Sequence, residues 1–123
     1  MTMAQVKGKI EPCIFCKIAR KETPAKILFE DDEVAAFEDI KPQAPVHILI
    51  IPKRHIARTS DLTPRDSDII GKLVLAAKTI AKDRGVEGSG YRMVMNCNKD
   101  AGQEVFHIHL HLLGGRKFSW PPG

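Results

Sequence analysis

Hydrophobic spacing along this chain switches between the two-residue period of strands and the three-and-four spacing of helices. Residues Met1–Glu11 carry no apolar periodicity and read as a flexible arm ahead of a single domain over 12–123. Ile14, Phe15, Ile18 and Ala19 share one face of a short helix ending near Lys21. Lys26–Glu30 and Glu33–Phe37 are short apolar runs separated by Asp31-Asp32, the pattern of an antiparallel hairpin. A loop stiffened by Pro42 and Pro45 leads to His47–Ile51, apolar on both faces after its first residue and therefore predicted as a central strand that Pro52 ends.

A long helix is predicted next. Thr63-Pro64 supplies an N-cap and a first-turn proline, and Asp66 and Asp68 place negative charge in the opening turns. Ile69, Ile70, Leu73, Val74, Ala77, Ile80 and Ala81 form its apolar stripe, and Lys82, Arg84 and Gly85 close it. Tyr91–Asn96 alternates as a strand, Cys97–Gln103 is a polar loop containing Gly102, and Val105–Gly114 is a second long strand before a proline-rich tail. Strands on either side of one long helix predict an α+β fold: an antiparallel sheet of about five strands with one long and one short helix.

Composition excludes more than it assigns. The chain has 123 residues, 43% hydrophobic and 28% charged, which rules out global disorder and leaves room for one core. The net charge of +4 favours anionic ligands, yet Lys and Arg are scattered, and seven aromatic residues are too few for a single-strand stacking platform, so nucleic acid is not the expected partner. The longest apolar run, Ile48–Ile51, is far short of the roughly 20 residues of a membrane span, and no signal-peptide pattern occurs. Three cysteines, an odd number, fit a reduced cytoplasmic-type compartment, the nucleus included.

The five histidines fall at only three places: His47, His55, and His107, His109 and His111 on alternate residues. On a strand the last three share a face, with Ile108, Leu110 and Leu112 on the other. A rise of about 3.3 Å per residue sets the outer pair about 13 Å apart, too far for one ion whose ligand nitrogens each lie about 2.1 Å from it. A row of imidazoles suits a phosphate instead, one ring attacking and its neighbours donating hydrogen bonds. Asn96, Asn98, Gly102 and Gln103, just ahead, offer amide donors and a backbone able to approach a phosphate closely.

The segment Gln103–Arg116 resembles the His-φ-His-φ-His-φ-φ signature of the histidine triad (HIT) superfamily, φ being apolar. Ile14-Phe15 with Lys17-Ile18, Phe29-Glu30-Asp31, Asp39-Ile40 with Pro42–Pro45, His47, Ile51-Pro52-Lys53, Tyr91–Val94, Asn96 and the terminal Trp120-Pro121-Pro122-Gly123 resemble its nucleotide-binding (Hint) branch, so the likeness runs from Cys13 to the end. The resemblance implies a homodimer of α+β subunits whose sheets join across the dimer axis. It also implies hydrolysis of purine nucleoside 5'-phosphoramidates to nucleotide and amine through a nucleotidyl-histidine. By the same likeness His109 is the nucleophile; His111 and the loop Gly102, Gln103, Glu104 and Val105 hold the phosphate; His47 and the backbone of His107 orient the rings. Asn96 lies near the scissile bond, Asp39 binds the ribose hydroxyls, and Ile14, Phe15, Ile18, Phe37 and Ile40 enclose the base. Glu104 departs from the pattern, standing where many eukaryotic members have a serine, which leaves the proton source for the departing amine open. Read from the residues alone, the five apolar positions fit core packing as well. Two other activities share the motif: dinucleoside polyphosphate hydrolysis, and nucleotide-dependent binding of partners with little turnover.

Cys13-Ile14-Phe15-Cys16 reads as a zinc half-site, a redox pair or two buried thiols. The resemblance favours structural zinc held by Cys13, Cys16, His55 and His107, and no organic cofactor.

Overall fold

The computed structural model describes residues 13–123, so the N-terminal arm expected from the sequence lies outside the described residues. Two helices and five strands follow in the order α1 (Ile14–Ala19), β1 (Ile27–Glu30), β2 (Val34–Glu38), β3 (Val46–Pro52), α2 (Ser67–Asp83), β4 (Tyr91–Val94) and β5 (Leu110–Gly114). The strands form one antiparallel sheet in the order β1-β2-β3-β5-β4, with an irregularity in register between Ile27 and Phe29. The α+β class and five-strand sheet are those the spacing predicted.

Alternation along β2, β3 and β5 distributes side chains to two cores. Val34, Ala36, Ile48, Ile50, Leu110 and Leu112 face α2 and pack on Ile69, Leu73, Ala76, Ala77, Ile80 and Ala81. Ala35, Phe37, Leu49 and Ile51 point the opposite way, against Phe15 and Ile18 of α1. The second face is therefore covered by a helix of six residues where the first has seventeen. Part of the sheet that α1 cannot reach stays open, and His47 and His111 lie on that same face. At about 25 cal/mol per Å² of apolar area, the larger cluster on the α2 side carries the larger share of hydrophobic stabilisation.

Four sequence expectations change. The strand predicted from Val105 begins only at Leu110, because the chain bends at 105–107: Ile108 N–H donates across to the Ile56 carbonyl at 2.7 Å, and His109 donates its ring N–H to the His107 carbonyl at 2.8 Å. Likewise, the strand expected over Tyr91–Asn96 ends at Val94. The long helix opens with a 3₁₀ turn, Pro64–Asp66, since Asp66 reaches back to the Thr63 N–H at 2.8 Å in a capping box and also accepts from Arg54 at 2.6 Å. Val74, placed on the apolar stripe by its spacing, is 40% exposed, and Ala76 takes the buried position.

Candidate functional site

A cavity of about 680 Å³ opens between α1, the Glu38–His47 loop, the 96–105 loop and the histidine segment. His109, His111, His47, Asp39, Asn96, Gly102, Glu104 and Val105 line it together with Ile14, Phe15, Ile18, Phe37 and Ile40. Within the apolar set, Phe15, Ile18 and Phe37 are buried, Phe15 meeting Phe37 edge to face at 5.4 Å, while Ile14 is half exposed and Ile40 is 93% exposed at the rim. The same residues thus serve as core on one side and slot wall on the other.

The bend before β5 draws the rings closer than an extended strand would. His109 and His111 have ring centroids 4.9 Å apart, against about 6.6 Å for alternate residues of a strand. Phe15 stands edge-on to both His109, at 5.1 Å, and His107, at 6.0 Å.

Hydrogen bonds fix where each ring carries its proton. His109 Nδ1–H donates to the His107 carbonyl at 2.8 Å, which leaves Nε2 with its lone pair. The Gln43 N–H donates to His47 Nδ1 at 3.0 Å, so His47 carries its proton on Nε2. That proton goes to His111 Nδ1 at 3.0 Å, with the Asp39 carboxylate at 3.4 Å as a weaker acceptor. With its Nδ1 occupied as an acceptor, His111 is a donor at Nε2. His107 Nε2–H donates to the Pro52 carbonyl at 2.7 Å, leaving its Nδ1 as a lone pair. The three histidines of one motif thus differ: His109 keeps a lone pair on Nε2, His111 is a donor there, and His107 keeps its lone pair on Nδ1 with Nε2–H tied to Pro52.

Burial favours the neutral form of His111, His107 and His47. It pushes the His111 pKa down to about 4, and the neighbouring His109 and His47 push it the same way. It pushes His107 to about 4 as well, opposed by the Pro52 bond and reinforced by His55 and His109. His47 lies below its usual value through burial, with Asp39 pulling it back up. Because Gln43 requires His47 to be protonated on Nε2, His111 and Asp39 share that one proton as acceptors; His47 lacks the second lone pair a cation site would need.

The 96–105 loop owes its shape to Gln103. Its Oε1 accepts from Asn98 N–H at 2.8 Å, its Nε2 donates to the Ala57 and Val105 carbonyls at 2.8 and 3.1 Å, and its own N–H goes to the Asn98 carbonyl at 3.1 Å. Gln103 is buried and is not among the cavity-lining residues, so it braces the loop where the sequence placed it at the phosphate. Gly102, at φ +90, makes the turn that a side chain would resist.

Beside the cavity, four donors converge. His107 Nδ1 lies 3.3 Å from Cys13 Sγ, 3.5 Å from Cys16 Sγ and 3.2 Å from His55 Nδ1, and Cys16 Sγ is 3.3 Å from His55 Nδ1. A tetrahedral zinc with Zn–N about 2.1 Å and Zn–S about 2.3 Å needs N···N edges of about 3.4 Å and N···S edges of about 3.6 Å. The donor set and its spacing therefore fit a closed four-ligand ion. Pro52, accepting the opposite N–H of His107, is the orienting partner such a ligand ordinarily has.

A model of the HIT domain family matches residues 20–118. An uncharacterised HIT-like protein of Synechocystis is 53% identical over 113 residues, 92% of this chain and 98% of that protein. A HIT family hydrolase from Legionella pneumophila superposes with a TM-score of 0.90 at 54% identity, covering 91% of this chain and all of the other. A histidine triad nucleotide-binding protein from Candida albicans superposes with a TM-score of 0.77 at 32% identity, covering 89% and 83%. The chain belongs to the HIT family. No helix among the described residues is long and apolar enough to cross a membrane.

Gln43 and Arg116 escaped the sequence reading. Gln43 acts through its main chain, which leaves no trace in residue type, and Arg116 reaches it from 73 positions away.

Proposed function

We propose that this protein hydrolyses purine nucleoside 5'-phosphoramidates to the nucleoside monophosphate and a free amine. The observation that carries this reading is His109: its Nδ1 is tied to a carbonyl, its Nε2 retains a lone pair, and the ring lines the same cavity as an apolar slot. Nε2 attacks phosphorus, the P–N bond breaks, and the amine leaves with a proton; water then releases the nucleotide from the imidazole and regenerates the ring. His111 Nε2–H and the Gly102–Val105 segment steady the phosphoryl oxygens. Asp39 receives the ribose, and Phe15, Ile18 and Phe37, with Ile14 and Ile40 at the opening, enclose the purine. Asn96 and Glu104 line the cavity, Glu104 on its exposed rim where an amine can depart.

In the same reading Cys13, Cys16, His55 and His107 hold one zinc per chain. Zinc there supplies structural cross-linking, since four protein ligands leave no position for water. The expected homodimer has an edge to use, because β4 is one of the two edge strands of the sheet. The setting is cytoplasmic, in keeping with the bacterial relatives.

The test is release of AMP from an adenosine 5'-phosphoramidate by the native protein and by His109→Ala. The variant should lose at least about 10³-fold in kcat; equal turnover by the two would end the assignment. Diadenosine polyphosphate, offered in parallel, should turn over far more slowly, and the reverse preference would make the protein a polyphosphate hydrolase.

A further inference from the structure

The proton on His111 is not fixed within the histidine motif. The fixing group is a backbone amide, that of Gln43, which donates to His47 Nδ1 at 3.0 Å. A histidine accepting at Nδ1 is either protonated at Nε2 or deprotonated altogether, and protonation at both nitrogens would set two N–H groups against each other. His47 must then donate through Nε2, which it does to His111 Nδ1 at 3.0 Å. Were His47 to take the other tautomer, the pair could satisfy itself only by moving the His111 proton to Nδ1. His111 would then turn a lone pair, in place of an N–H, toward a phosphoryl oxygen.

The amide itself is held from the far end of the chain. Arg116, just past β5, donates its Nε–H to the Gln43 carbonyl at 3.0 Å. Its guanidinium stacks on Phe118 at 4.3 Å, a ring covered also by Arg92 at 5.2 Å, and Arg92 in turn donates to the Ser119 carbonyl at 3.0 Å. Within the loop, Gln43 Nε2 donates to the Lys41 carbonyl at 3.1 Å and Lys41 N–H to Asp39 Oδ1 at 2.8 Å. The residue carrying the decisive N–H is thus held at its carbonyl by the tail and at its side chain by its own loop.

We infer that Gln43, through its main-chain N–H, and Arg116, through the Gln43 carbonyl, are positioning residues that set the proton on His111 Nε2 and so make it a donor to the phosphoryl group. The tail after β5 is then part of the reaction apparatus though Arg116 is not among the residues lining the cavity. The phosphoryl-donor role rests on the proposed phosphoramidase reading; the proton placement does not.

The experiment compares the native protein with Gln43→Pro, which deletes the N–H, Gln43→Ala, which keeps it, and Arg116→Ala and Arg116→Lys. Long-range ¹H–¹⁵N correlation spectra of histidine-labelled protein report which ring nitrogen of His47 and His111 is protonated. The native protein and Gln43→Ala should show unprotonated Nδ1 in both rings. Gln43→Pro should show a mixed or inverted pattern, Arg116→Ala a partial one, and Arg116→Lys should restore it. On an adenosine 5'-phosphoramidate, kcat should fall about 10- to 100-fold in Gln43→Pro and by less in Arg116→Ala, with KM within about threefold. Native spectra with the proton on Nδ1 of either ring would overturn the inference, as would an unaltered pattern in both Gln43→Pro and Arg116→Ala. A drop in kcat with both tautomers intact would also overturn it, by assigning the loss to general distortion. If Gln43→Pro does not fold, Arg116→Ala with its lysine rescue decides the matter alone. Absence of turnover in the native protein would remove the phosphoramidase reading and leave the spectra to judge the proton placement.

Discussion

His107 and His109 are two residues apart, yet their replacement by alanine should break different things. His107 is fully buried, donates to the Pro52 carbonyl at 2.7 Å and packs edge-on against Phe15 and His55. Alanine leaves that carbonyl without its donor, worth about 1–3 kcal/mol, and a void the size of an imidazole, worth about 2–3 kcal/mol. The two overlap, so about 3–5 kcal/mol of unfolding free energy should disappear even without metal, against a total of about 5–15 kcal/mol for an ordinary domain. With zinc at 1,000 times its dissociation constant the native protein gains about 4 kcal/mol more, which His107→Ala cannot. His109 lines the cavity but is only 8% exposed, and its bond to the His107 carbonyl is buried, so His109→Ala should cost about 1–3 kcal/mol while abolishing turnover, and its midpoint should still fall on chelation as the native protein's does. Urea unfolding followed by circular dichroism, with and without chelator, separates these cases. A chelator-treated His107→Ala within about 1 kcal/mol of native, or one whose midpoint still drops on chelation, would refute the shared structural role given to this ring.

Further predictions follow from the same geometry. Unfolded His111 titrates near 6.5 and folded His111 near 4, so between those values the unfolded chain binds a proton that the folded one refuses. Stability should therefore fall as pH drops from about 6.5 to about 4 and level off below; the open cavity screens the ring, and about 1–2 kcal/mol is expected beyond the loss shown by His111→Gln in parallel urea titrations. Gly115 sits at φ +90 with a Cβ position 2.9 Å from Pro45 Cβ, so Gly115→Ala should cost about 1–3 kcal/mol and slow turnover by displacing the loop that carries Gln43, measured by thermal unfolding and kcat. Chelation should weaken AMP binding about tenfold in calorimetry, about 1.4 kcal/mol, because Cys13 and Cys16 tie α1, a wall of the base slot, to His107. Unchanged affinity would detach the metal cluster from the slot.

Periodicity determined what is local. The apolar runs of β2 and β3 and the stripe of α2 could be read directly, since a strand buried on both faces and a helix buried on one each leave their own spacing in the sequence. The motif itself was equally legible, as was the Cys-x-x-Cys pair as a candidate ligand set. The detailed path of the histidine segment was not. An alternating pattern from Val105 reads as strand, and only Ile56, arriving from a distant turn to accept the Ile108 N–H, shows that the chain bends there and brings the rings together.

The role of each ring was the part that sequence could not hold. A neutral imidazole is donor or acceptor at a given nitrogen according to what meets the other one, and here the partners are the carbonyls of Pro52 and His107, the amide of Gln43 and a ring 64 residues away. Sequence alone determined that three histidines stand together on a β-rich scaffold, and left the apolar residues near them open between core and slot. Tertiary structure decided which one keeps its lone pair toward the cavity, which one donates and which one turns toward the cysteines, because those choices are made by backbone groups that carry no residue identity and by one ring brought in from 64 residues away.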